Sequence, residues 1–362
     1  MYLDSDGSGS SIEDQKQKMK VLSVGHAVPE TRLSNAENLD LVMERNRGRV
    51  PGEQLEFFRA MIERGFEVTG NEHRYLALNG ETALDFGQKA AELALKRAGM
   101  DARDVDLVLY VGVSRGCIEP ATAYVFQNAV GAVNATSFDI LDACAGWLRG
   151  MHVVHSLLSA GTYRTALLVN CEMGWDYFMQ REFSTAAALD HYFAAFTLGE
   201  AATATVVQAD ANDDFRFHIR SFPEYYDLCT IPLHSAPLFG FDGLQRGMEP
   251  GFFAAQSTAL ASATIKCAIK TFEDEPSFFN DNYDIFFAHV ASKKGGDIVA
   301  RKIGLPMSRH FATHQSHGNT ASCAIPLAMS LATEQGQLRR GNRVLVAVSS
   351  AGISIGVASF TF

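Results

Sequence analysis

The chain has 362 residues, of which 47% are hydrophobic and 20% charged, and its formal net charge is −10. That makeup is expected of a soluble globular protein, either one large core or two halves sharing an interface. The charge disfavours non-specific nucleic-acid binding, which needs Lys and Arg to neutralise phosphates. No run approaches the roughly 18 apolar residues of a membrane span, and nothing reads as a signal peptide, so a cytoplasmic location is expected. Cys117, Cys144, Cys171, Cys229, Cys267 and Cys323 are widely spread, without zinc-like spacing. They are expected to be reduced thiols, and no metal site is expected.

Residues 1–18 are polar and read as a flexible leader or expression remnant. Val21–Val24 reads as the first strand. Thr82 caps a helix with Phe86, Ala90, Leu93 and Ala94 on one face, stopped by Gly99. Val105–Val113 is an apolar run expected as a strand buried on both faces. Phe138–Leu141 and Thr165–Val169 read as two further buried strands, with a helix over 145–160 between them that ends at Gly161. Ala201–Val207 and Phe215–Ile219 continue the strands. Residues 254–272 read as a long helix. Asp284–Ala288, Arg343–Val348 and Ile353–Phe362 read as strands. Strands alternating with helices place the chain in the α/β class, and the likeness of its two parts, split near residue 210, suggests a duplicated unit. The expected parts are 19–210 and 211–362.

In SFDILDACAGWLRG, residues 137–150, a strand ends, Cys144 follows, and a helix begins after small residues. A helix N-terminus stabilises a thiolate, so Cys144 suits an acyl-accepting nucleophile; a buried structural cysteine is the other reading. His289 ends the strand DIFFA and opens a helix. Asn319 lies in HGNTAS just before the helical run Ala324–Leu331. Taken singly, a strand-end His is more often structural, and an Asn before a helix is usually a cap.

Together these segments resemble the ketoacyl-ACP synthase III family of the thiolase superfamily, over most of residues 20–362. DACAGW at 142–147 is similar to the nucleophile motif. His289 matches the catalytic histidine by its place at the strand end. HGNTASCAIPLAM at 317–329 resembles the asparagine motif, with Asn319 as the third member. ETALDFGQKAAELALKRAGMDARDVDLVLYVG at 81–112, LGEAATATVV at 198–207 and SSAGISIG at 349–356 support it. The resemblance implies a thiolase fold of two similar βαβαβαββ halves in five layers, αβαβα. It implies a homodimer, with the nucleophile from the first half and His and Asn from the second. The backbone N–H groups of Cys144 and Gly352 would form the oxyanion hole.

The implied reaction begins with acylation of Cys144 from an acyl-CoA or acyl-carrier-protein thioester. Decarboxylative condensation with a malonyl-type thioester follows, giving a 3-oxoacyl product in a polyketide or other secondary pathway. No cofactor is implied, since the thioesters are substrates. An amide at 319 favours an enolate, whereas a carboxylate would repel it. The alternative is an acyltransferase that passes the group to an alcohol, an amine or a carrier protein without condensation. The chain departs from the family in several places. No Trp occurs in residues 42–70, Val290 and Ser292 replace the usual Gln and Asn, and the GDGA pattern becomes Gly199-Glu200-Ala201-Ala202. The missing Trp adds weight to an acyl-carrier-protein donor, and together the changes suggest a specialised member rather than a housekeeping fatty-acid initiator. Arg59 and Arg64 are candidates for meeting phosphates. The basic clusters Arg45, Arg47, Arg49 and Lys293, Lys294, Arg301, Lys302 read either as solvated surface or as docking surfaces. One or two aromatics of 175–196 are expected to bound the acyl chain.

Overall fold

The computed structural model describes residues 18–362 apart from 213, 242–248, 280 and 306. The leader expected at 1–18 thus falls outside the described residues, except that Lys18 opens the first strand. In chain order the elements are β1 (Lys18–Ala27), β2 (Thr31–Ser34), α1 (Asn35–Asn46), α2 (Gly52–Thr69), β3 (His73–Leu76), α3 (Ala83–Ala98), β4 (Leu107–Tyr110) and α4 (Thr122–Val130). Next come β5 (Thr136–Asp139), α5 (Gly146–Ser159), β6 (Thr165–Glu172), α6 (Ala186–Tyr192), β7 (Ala201–Asp210), β8 (Arg216–Ser221), β9 (Cys229–Thr230) and β10 (Ala254–Ala255). The chain closes with α7 (Ser257–Asp274), β11 (Ile285–Ala288), α8 (Lys293–Ile303), α9 (His314–His317), α10 (Ala324–Glu334), β12 (Arg343–Ser350) and β13 (Ser354–Thr361).

Two sheets carry the architecture. The first runs β1-β7-β6-β4-β5 and the second β8-β13-β12-β11. Each begins with a strand that pairs antiparallel with the last strand of its set, and each holds a parallel pair (β4 with β6, β11 with β12). Among the described residues the second sheet has no counterpart of β5 apart from a single parallel bridge between Phe286 and His310. Helices α5 and α10 lie between the sheets. Trp147, Met151 and Val154 from α5 and Ile325, Met329 and Ala332 from α10 share one core with both. Helices α3 and α4 cover the outer face of the first sheet, and α7 and α8 that of the second. This is the five-layer αβαβα arrangement. In β4 the period-2 alternation sorts the layers: Leu107 and Leu109 face the centre, Val108 and Tyr110 the outer helices.

Local signals account for most boundaries. Thr82 accepts from the Asp85 N–H at the start of α3, and Gly99 closes it in the left-handed conformation. Its buried stripe is Phe86, Ala90 and Ala94 with Gly87, Ala91 and Leu95. Leu93, expected on that face, is half-buried. The run 105–113 is strand only over Leu107–Tyr110. Beyond Val111, whose N–H still reaches the Val169 carbonyl, the N–H groups of Val113 and Ser114 turn to the Glu172 carboxylate. The segment expected as a buried strand over 138–141 is the sheet's edge, Thr136–Asp139, with Phe138 37% and Leu141 63% exposed. An edge strand has one neighbour, so Thr136 and Phe138 stay exposed, while Ser137 and Asp139 bond to Gln127 and to the first turn of α4. The helix expected from 254 starts at Ser257, because Ala254 and Ala255 pair with Thr230 and Cys229.

Helix α3 lies on β1 so closely that a Cβ on Gly25 would stand 2.2 Å from the Ala90 carbonyl and 2.6 Å from the Ala94 nitrogen. Both are backbone atoms and cannot give way cheaply. Gly25→Ala is expected to cost about 2–4 kcal/mol and lower Tm by about 5 °C or more in thermal unfolding. Gly52→Ala, with nothing within 4 Å of its added carbon, serves as the unaffected control.

Candidate active site

Cys144 stands in a tight turn, Ala143–Ala145, between the end of the β5 connection and α5. Ala143 adopts φ 44°, a left-handed value that non-glycine residues rarely take. The turn is pressed against its surroundings. A Cβ on Gly146 would stand 2.1 Å from the Val111 carbonyl and 3.4 Å from Cβ of Ser322. The motif thus needs glycine at this position for backbone approach, while Ala143 and Ala145 keep the surroundings small.

A matching turn leads into α10. Ala321–Cys323 is again one turn of tight helix, and Ala321 has φ 45°. Asn319 sits two residues before it, fixed by its main chain: its N–H donates to the Thr197 carbonyl at 2.8 Å, and its carbonyl accepts from the Gly199 N–H at 3.0 Å. Its Oδ1 accepts from the Ala321 N–H at 3.0 Å and lies 3.1 Å from His289 Nε2. Because Oδ1 accepts from a main-chain donor, the amide orientation is set and the ring donates in the His289 contact.

His289 directly follows β11, its N–H on the Ala347 carbonyl at 3.0 Å. It does not open a helix: α8 begins at Lys293, capped by Ser292. Cys144, His289 and Asn319 line one cavity of about 810 Å³. Its walls are mainly apolar. Phe193, Phe253 and Ile231, which pack in one apolar cluster, line it together with Leu260 and Val299 from another, and with Ile265. Of the aromatics in 175–196, Trp175 and Phe193 reach this wall. Phe183, Tyr192 and Phe196 are buried in the core, and Tyr177 is 85% exposed. Arg64 lies on the wall, while Arg59 turns to Asp40 and Glu56. Gly352 adopts φ 116° in the turn between β12 and β13, next to the wall residue Ala351. The Ser350 hydroxyl donates to the Asp142 carbonyl at 2.9 Å, which ties that turn to the one bearing Cys144.

The electrostatics differ from the expectation of a helix-stabilised thiolate. Burial pushes the Cys144 thiol well above its ordinary value, and the neighbouring Cys229 and Glu172 push it the same way. The Cys144 main chain pulls in the opposite direction, but less strongly. Burial lowers His289, opposed by its contacts with Asn319 and the Ser349 main chain, so the ring is neutral near pH 7. The resting pair is therefore neutral thiol and neutral imidazole.

Three residues of this neighbourhood were not singled out from the sequence. Glu172, at the end of an apolar strand, is fully buried and accepts from four groups on two segments. Glu200 receives the N–H groups of Ala77 at 2.6 Å and Trp175 at 2.9 Å. For both, the one visible signal was a carboxylate beside an apolar run. Cys229, whose thiol burial pushes up to about 12, carries no sequence signal of its own. Among the described residues no group of three or more His, Cys, Asp and Glu is placed to hold a metal ion, and no helix is long and apolar enough to cross a membrane.

His310, His314 and His317 lie between β11 and α10, and burial lowers each to about 4. The unfolded chain binds protons on these rings below about pH 6.5 and the folded chain does not, so stability is lost as pH falls from 6.5 toward 4. The loss is about 1–2 kcal/mol per ring after screening. Tm measured across this window is expected to fall steadily, and His314→Gln to flatten the slope.

Residues 138–222 match the family described as 3-oxoacyl-[acyl-carrier-protein (ACP)] synthase III, and residues 275–362 match its C-terminal part. The beta-ketoacyl-[acyl-carrier-protein] synthase III of Anaplasma marginale is 28% identical over 297 residues, 81% of this chain and 88% of that protein. The enzyme of the same name from Sphingopyxis alaskensis is 28% identical over 340 residues, 92% of this chain and 96% of that one. In structure, Xanthomonas campestris OleA with bound lauric acid and lauroyl-CoA superposes with TM-score 0.76 at 21% identity, covering 96% of this chain and 100% of that one. The Aquifex aeolicus 3-oxoacyl-[acyl-carrier-protein] synthase III does so with TM-score 0.76 at 19% identity, over 95% and 100%. The fold is therefore that of the thiolases, and over both matched segments the chain is similar to the ketoacyl-ACP synthase III family of condensing enzymes.

Proposed function

We propose that this protein is a decarboxylating condensing enzyme in which Cys144 is the acyl acceptor and His289 and Asn319 serve the second half-reaction. The observation that carries the reading is the His289–Asn319 contact, 3.1 Å, on the wall of the cavity that also holds Cys144. In the first step the Cys144 sulfur attacks the thioester carbonyl, and the donor thiolate leaves and takes up the proton that the Cys144 thiol gives up. The oxyanion points at the N–H groups of Cys144 and Gly352. Losing one such donor costs roughly 3 kcal/mol of transition-state stabilisation. In the second step a malonyl-type thioester loses carbon dioxide. The enolate oxygen is held by His289 and the Asn319 amide, and the enolate carbon attacks the Cys144-bound carbonyl. The C–S bond breaks, the 3-oxoacyl thioester leaves, and the Cys144 thiolate regains a proton.

An apolar cavity of about 810 Å³ favours an extended acyl chain together with the arm of its thioester. The bound lauroyl-CoA of the OleA structure is consistent with such a substrate. The absence of Trp from residues 42–70 favours an acyl-carrier-protein donor over CoA. The reading takes 19–210 as the nucleophile half and 211–362 as the half that supplies His289 and Asn319, with a role in a polyketide or other secondary pathway. It also takes the active form to be a homodimer. The edge strand β5 has an open hydrogen-bonding side, and Val133, Phe138 and Leu141 beside it are 74%, 37% and 63% exposed.

Incubation with an acyl donor is expected to add one acyl mass to the intact protein, and Cys144→Ala to abolish the adduct. With a malonyl thioester supplied, one carbon dioxide is expected per 3-oxoacyl product. Asn319→Asp is expected to slow carbon dioxide release at least 100-fold while acylation of Cys144 stays within tenfold. Acyl transfer to an alcohol, amine or carrier with no carbon dioxide released would replace condensation with plain acyl transfer.

A further inference from the structure

Glu172 closes β6 and is wholly buried. Its Oε1 accepts from the Val113 N–H at 3.0 Å, the Ser322 N–H at 3.4 Å and the Ser322 hydroxyl at 2.5 Å, and its Oε2 from the Ser114 N–H at 3.1 Å. Val113 lies on the cavity wall beside Cys144, and Ser322 sits in the turn that follows Asn319. One carboxylate thus joins the loop after β4, in the first sheet, to the turn that carries the second half's amide. Asn170, two residues earlier on β6, donates to the Ser322 carbonyl at 3.2 Å and secures the same turn from its other side.

We propose that Glu172 is a positioning residue for the reaction at Cys144: by clamping the Ser322 turn to the Val113–Ser114 loop it sets where Asn319 and His289 stand relative to the nucleophile. The proposal rests on the condensing-enzyme reading above. A carboxylate suits this place because all four of its partners are donors. An amide would turn an N–H₂ toward some of them and leave buried donors unmet.

The same carboxylate has a second consequence. Its charge is felt at Cys144, together with those of Cys229 on β9 and Asp142 in the preceding turn, and all three act against a thiolate. Its other titratable neighbours are Tyr110 on β4, Cys171 on β6 and Cys323 after the turn, all of which burial keeps neutral. The nearby cation, Arg115, is engaged with Asp139. Removing the charge at 172 therefore moves Cys144 toward the thiolate, whereas merely loosening the turn does not.

The test uses the full chain with Glu172→Gln, Glu172→Asp and Ser322→Ala, and two readouts. Steady-state turnover of the thioester pair reports the clamp. The rate of Cys144 carbamidomethylation by iodoacetamide at pH 8, which needs no acyl substrate, reports the charge. Glu172→Gln is expected to lower kcat at least tenfold with KM within twofold, and to speed alkylation at least threefold. Glu172→Asp keeps the charge on a stem too short for the clamp, so kcat falls while alkylation stays at the wild-type rate. Ser322→Ala is expected to lower kcat several-fold with unchanged alkylation. Wild-type kcat in Glu172→Gln overturns the proposal, as does Glu172→Asp speeding alkylation as much as the amide does. Should Glu172→Gln fail to fold, Ser322→Ala decides: reduced kcat supports the clamp, and wild-type kcat overturns it. If even the wild-type chain turns over no thioester pair, the functional reading fails, and alkylation alone judges the role of the charge.

Discussion

Gly146 lies so close to the Val111 carbonyl that a single added carbon would stand 2.1 Å from it. Much of the molecule follows from this approach. It brings the start of α5 into the end of the first sheet, and the start of α10 comes against the same place through Ser322. The two central helices begin together, so residues just before them meet. Cys144 and Asn319 are such residues. His289 arrives from the corresponding end of β11, beside β12. The site is a product of where the central layer starts, and the outer helices serve to wall it.

Burial has two opposed effects at that place. It excludes water from an apolar cavity, which strengthens whatever dipoles face the reacting carbonyl. It also raises the cost of a free thiolate. Cys144 at a helix start shows the balance: the main chain favours the anion, but the low-dielectric surroundings and the Glu172 carboxylate outweigh it. Cys144 is thus held as a thiol at rest. It is correspondingly less open to stray electrophiles.

Much of this was legible in the sequence, for reasons that differ by element. Helix α3 was readable because Thr82, an apolar stripe and Gly99 are local signals that all agree. The strands of the first sheet were readable as apolar runs. Whether a run was central or at an edge was not, because 138–141 is apolar enough for either place and only the order of strands decides. The helix start at Ser257 was hidden by the pairing of Ala254 and Ala255 with β9, a contact between segments far apart in the chain. Cys144, His289 and Asn319 could be grouped through motif likeness, since no local rule joins residues so distant. Glu172 stayed hidden because its four partners come from the loop after β4 and the turn before α10, and a carboxylate at a strand end usually faces water.

The turns before α5 and α10 share a backbone, down to the left-handed Ala143 and Ala321. In that correspondence Ser322 stands where Cys144 stands, and its hydroxyl is spent on Glu172. The two turns thus divide the labour. One exposes its central side chain, Cys144, to the cavity, and the other turns its own inward as a structural tether, offering the asparagine upstream instead. Neither turn holds the full set, so each half supplies to the cavity what the other lacks.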